Sequence, residues 1–120
     1  MVATNYNTAT SVATIAATAA DGSATVVYTC PNNHDVTVDL ILLSNNNAAA
    51  KKITAQFYDS SASAYYFLAQ DLSVAANGFV NIVDGNSISL NANDKIILTA
   101  ETAGTISALI SVEEYYDPNR

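Results

Sequence analysis

The sequence predicts an all-β fold, an antiparallel β-sandwich of about eight strands, jelly-roll-like in outline. Three observations predict it. Short runs of β-branched and aromatic residues recur along the chain, and clusters of Asn, Asp, Gly and Ser separate them. No segment carries an apolar stripe at helical spacing. At 120 residues there is room for one domain, large enough to hold a core without disulfides or metals.

The elements follow in order. Residues 1–20 read as an N-terminal arm or edge strand, with a weak Thr-rich run from Thr10 to Ala17. Asp21-Gly22-Ser23 breaks it, and residues 21–120 form the single sandwich domain. Ala24 to Cys30 is a strand closed by Pro31-Asn32-Asn33, in which proline presets the backbone and the Asn pair tolerates turn conformations. Asp35 to Ser44 is the strongest strand. Strict alternation puts Val36, Val38, Leu40 and Leu42 on one face, and Ile41 and Leu43 on the other. After Asn45-Asn46-Asn47 come Lys52 to Tyr58, the turn Asp59-Ser60-Ser61, and the strand Tyr65 to Ala69.

A local echo follows. Leu72 to Ile82 and Ile88 to Leu98 each read as a short strand, a tight Asn-Gly or Asn-Asp turn and a second strand. Asn-Gly between apolar runs signals a hairpin. Two copies are too few for a solenoid, so the pair reads as two similar corners of one sandwich. Thr105 to Tyr116 is the last strand.

Composition excludes several functions. The net charge is −7, and Lys51, Lys52, Lys95 and Arg120 are the only cations. No basic patch for nucleic-acid phosphates or an anionic membrane can be built from four such residues. The apolar run Leu40 to Leu43 is far too short to cross a bilayer as a helix. The start of the chain, Met1 to Asn7, does not read as a secretory signal.

No catalytic constellation is present, so the chain reads as a structural or binding module and not an enzyme. Cys30 and His34 flank one turn, with no second Cys or His to complete a zinc site. They read as a buried thiol and a loop histidine. One His and no Gly-x-Ser-x-Gly elbow argue against serine hydrolysis. Asp35 and Asp39 lie roughly 13 Å apart along a strand, too far for paired-carboxylate chemistry. Glu113 and Glu114 point to opposite faces. The oxygen-rich turns Asp84-Gly85-Asn86 and Asn91 to Asp94 lack the twelve-residue calcium-loop pattern and read as turn formers. No cofactor is expected.

Surface character is more informative. Charged residues make up 12% of the chain, about half the usual share, which suits a surface buried against other protein. Several strands are apolar on both faces, including Leu40 to Leu43, Tyr65 to Leu68, Ile96 to Leu98 and Ala108 to Ile110. A sandwich covers only one face of each sheet, so the second face calls for a partner. Seven Tyr and no Trp strengthen this, since tyrosine suits interfaces and ligand platforms. Ile41, Leu43, Tyr66, Leu68 and Tyr116 are the candidate interface residues.

The stretch Tyr28 to Val38, a Tyr-Thr-x-Pro turn followed by alternating Val, resembles small tailed-phage virion proteins. So does the order of the Asn/Ala loop at Ser44 to Ala49, the segment Asp71 to Gly78 and the segment Asn93 to Ile96. Cys30 stands where a small aliphatic residue is more usual in that family. The resemblance runs from Tyr28 to about Val112 and implies a β-sandwich structural protein located in a virion and made in the host cytoplasm. It implies a capsid decoration or cement protein, a homotrimer whose partners are itself, the major capsid protein or other virion proteins. In that role Thr10 to Ala20 is an arm reaching a neighbour. The alternative is a tail, neck or fibre component that binds a receptor glycan through exposed tyrosines.

Overall fold

The computed structural model of the protein describes residues 5–15, 25–83, 85–102 and 104–116. Nine strands occur among them: β1 Asn5–Ile15, β2 Thr25–Thr29, β3 His34–Asn45, β4 Lys51–Asp59, β5 Ala64–Val74, β6 Phe79–Asn81, β7 Ile88–Leu90, β8 Lys95–Ala100 and β9 Ile106–Tyr116. They form two antiparallel sheets. One has the order β1-β9-β3-β6, with β7 also on β3; the other has the order β2-β8-β4-β5.

β6 and β7 are two halves of one strand. Both run antiparallel to β3, β6 along Leu42 to Ser44 and β7 along Val36 to Val38. Counted together, they leave eight strands in which the first half of the chain pairs with the second in reverse order. β1 pairs with β9, β2 with β8, β3 with β6 and β7, and β4 with β5. A long double ribbon of this kind, rolled so that its neighbours alternate between two sheets, is a jelly roll.

The two echoing segments are corners of that roll. At 75–78 the Gly78 N–H donates to the Ala75 carbonyl at 2.9 Å, with Asn77 at φ 54°. At 91–94 the Asp94 N–H donates to the Asn91 carbonyl at 3.0 Å, with Asn93 at φ 70°. Asparagine tolerates this left-handed backbone better than most residues. Neither corner joins paired strands, so the hairpin expected at Asn77-Gly78 does not form. Each carries the chain from one sheet to the other. Among the described strands, β4 and β5, across the turn at 60–63, are the consecutive pair that makes a hairpin.

The core lies between the sheets. Val36, Val38, Ile41, Leu43, Leu90, Ile106, Ile110 and Val112 line one side of it. Val27, Ile53, Val74, Ile96 and Leu98 line the other. Its pattern departs from strict alternation in β3. Val38 faces Val112 and Leu40 faces Ser111, so Asp39 is an extra residue, a β-bulge. One inserted residue reverses which side chains point inward. Ile41 and Leu43 are therefore fully buried, while Leu40 and Leu42 stay half-buried on the outer face. The expectation that Ile41 and Leu43 form an interface is corrected: they are core residues.

Candidate functional site

The residues considered for chemistry are occupied in holding turns. The Cys30 side chain is fully buried, with Sγ 3.6 Å from the carbonyl oxygens of Pro31 and His34. His34 Nδ1 lies 2.7 Å from the Asn32 carbonyl, and its ring packs against Tyr116 at 5.4 Å between centroids. The Asp94 carboxylate accepts from the backbone N–H groups of Ser60 and Asn91, each at 2.9 Å. Among the described residues no group of three or more His, Cys, Asp and Glu could hold a metal ion. Asp84 lies outside the described residues.

Two acid contacts are electrostatically distinctive. Tyr28 of β2 donates its hydroxyl hydrogen to Glu114 Oε2 of β9, linking the two sheets. Burial, followed by the Glu114 carboxylate, holds that phenol well above the usual tyrosine range. On the outer face of the β3–β9 sheet, Asp39 shares a hydrogen bond with Glu113. That bond, some burial and the repulsion of the second acid push the Asp39 carboxyl up.

The apolar strands settle into two groups. Ile96, Ile97 and Leu98 are all buried within the chain, and Leu109 is half-buried. Tyr65 to Leu68 is different. Tyr65 is 59% exposed, Tyr66 53%, Phe67 57% and Leu68 37%. They lie on β5, at the end of its sheet, and among the described residues no strand covers them from the open side.

The register explains the double-sided display. Tyr65 faces Tyr58 and Phe67 faces Gln56 on the outer face; Tyr66 faces Phe57 on the inner face, at the rim of the sandwich. The rings pair across the strands, Tyr58 with Tyr65 at 4.7 Å and Phe57 with Tyr66 at 6.3 Å. Lys95 Nζ sits 5.5 Å from the Tyr58 ring centre. The regular part of the edge is short. Leu68 is an extra residue between the Phe67–Gln56 and Ala69–Ala55 pairs, and a second irregularity lies between Ala69 and Leu72. There Asp71 adopts φ 50° and donates its N–H to Thr54 Oγ1 at 3.1 Å. Bulges twist an edge away from continued pairing, which confines the flat, open portion to Ala64 to Phe67.

The edge is also uncharged. From Ser60 to Gln70 there is no Asp, Glu, Lys, Arg or His, in a chain whose net charge is −7. The 75–78 corner then leads to β6, where Phe79 is 75% exposed on the edge of the other sheet.

Tyr66 and Leu68, expected at an interface from the sequence, are thus on this edge. Tyr116 is not; it is half-buried on β9 beside His34. Phe79 lies outside the sequence-based candidates. Its only signal is a large ring directly after Asn-Gly, in a strand too short to show alternation.

No family profile matches this sequence, and no curated protein sequence matches it. Solved structures share the fold. One is a chain from Bacillus endospore appendages, described as disulfide-linked pili: TM-score 0.52, 14% identity, covering 95% of this chain and 88% of that one. Another is a chain of infectious bursal disease virus, Gx strain: TM-score 0.50, 10% identity, covering 96% of this chain and 38% of that one. Likeness at these identities extends to the fold alone.

Proposed function

We propose that this chain is a self-associating structural subunit of a larger protein assembly, and specifically a phage capsid decoration or cement protein. The observation that carries the reading is the edge of β5. An uncharged, aromatic, open sheet edge is a surface that natural proteins normally blunt with charge, proline or a covering element. Here the rings are left bare. Burying them releases about 25 cal/mol per Å² of apolar area, a driving force available to protein contact. Two solved assemblies of the same fold, a pilus and a virus, lend support in kind.

In the decoration role the subunit strengthens a shell by contact, without chemistry. Antibody labelling of purified virions tests this. Label over the shell supports decoration. Label confined to the tail or neck selects the alternative reading, a receptor-binding component using the exposed tyrosines. Particles without label overturn both virion roles.

A further inference from the structure

We propose that two copies of this chain pair through their β5 edges, antiparallel about a two-fold axis, to make one continuous eight-stranded sheet. This rests on the self-association reading above and names the contact and its symmetry. Turn chemistry accounts for the shallow cleft between Asn32, Asn33, Asn91 and Ala92, and the Asp39–Glu113 pair is two acids sharing one hydrogen bond.

The edge favours its own kind for three reasons. An isologous contact must be self-complementary, and a short strand with similar rings on both faces is so. With Tyr66 on the axis, Tyr65 of one copy lies beside Phe67 of the other on the outer face, and the two Tyr66 rings meet on the inner face. Cross-strand aromatic pairs of this type are favourable.

Charge gives the second reason. Two chains of net charge −7 repel each other, and 60–70 is a stretch where they can meet without opposing carboxylates.

Area gives the third, and sets the strength. Three rings rather more than half exposed leave about 350 Å² of aromatic surface per copy. Doubled, that is roughly half the area of a standard specific interface, to which the paired backbones add. The dimer is therefore concentration-dependent in isolation. The bulges at Leu68 and near Asp71 end the regular strand, so the pairing closes at two copies and does not grow into a stack.

Light scattering on the purified chain, from about 10 μM to about 1 mM, tests the contact. The expected mass rises from 12.6 kDa toward twice that value. Phe67→Glu raises the dissociation constant at least about tenfold, and Phe79→Glu, a still more exposed ring on the other sheet, leaves it unchanged. Circular dichroism checks that both variants stay folded, as expected for side chains that point to solvent. Dimer or larger species unaffected by Phe67→Glu, or a trimer, overturn the two-fold contact and leave self-association standing. A mass fixed at 12.6 kDa throughout overturns both.

Discussion

The Asp94 carboxylate accepts a hydrogen bond from the backbone N–H of Ser60, 2.9 Å away, across 34 positions of sequence. Its other oxygen takes the Asn91 N–H, and its own carbonyl takes the Cys30 N–H. One side chain, 3% exposed, thereby joins the β4–β5 turn to the β7–β8 corner, while its backbone reaches the end of β2. Asp94→Ala strands two N–H groups and is expected to destabilise the fold by about 2–4 kcal/mol. Urea denaturation measures it. A loss under about 0.5 kcal/mol contradicts the clamp.

The bulge at Asp39 makes a sharp prediction about neighbours. Ile41→Ala is expected to cost about 2–5 kcal/mol, because it opens a cavity between the sheets. Leu42→Ala, one residue on but facing outward, costs less than half as much. Equal losses, or the reverse order, restore the strict alternation that the bulge breaks.

Tyr28 predicts behaviour in alkali. Its hydroxyl is held protonated above the ordinary tyrosine range, by burial and then by Glu114. A group with a raised folded pKa stabilises fully below its unfolded pKa, about 10 for tyrosine, and loses that contribution as pH climbs further. Stability should therefore fall above about pH 10, and Tyr28→Phe should flatten that part of the fall. In a spectrophotometric titration, one of the seven tyrosines should ionise only with unfolding. Full ionisation of all seven in the folded protein would refute the contact.

Asp39 and Glu113 act in the opposite pH range. The Asp39 carboxyl is raised first by its hydrogen bond to Glu113, so its contribution is complete in acid and lost as pH rises through the folded value. Asp39→Asn should stabilise the protein at pH 7 by up to about 0.5 kcal/mol, since the site is exposed and screened. The gain should vanish below about pH 3. Melting temperatures at the two pH values decide it; a gain that persists in acid excludes charge repulsion as the cause.

The sheet architecture was largely readable from turn chemistry. Pro31-Asn32-Asn33, Asp59-Ser60-Ser61 and the paired Asn77 and Asn93 corners fall where the chain reverses or changes sheets. The echo between Leu72–Ile82 and Ile88–Leu98 marks two equivalent corners, and both contain a left-handed Asn. What local pattern could not carry was anything depending on registry. A bulge leaves no mark in composition, so nothing in the sequence tells that Asp39 inverts the faces of β3. Asn-Gly fits a hairpin as well as a corner, and the choice depends on which distant strand lies alongside. The aromatic edge was half legible: Tyr65 to Leu68 stood out as apolar on both faces, yet so did Ile96 to Leu98, which the fold buries.

The ladder between β1 and β9 joins Asn5 to Tyr116 and runs without a shift to Ile15 and Ile106. During synthesis β1 leaves the ribosome before its partner, β9, has been made. At about 5–20 residues per second it waits roughly 5–20 s. Every nested pair inside it except β4 with β5 faces a shorter version of the same delay. A chain cut short before Ile106 lacks the central strand of one whole sheet, not merely its rim.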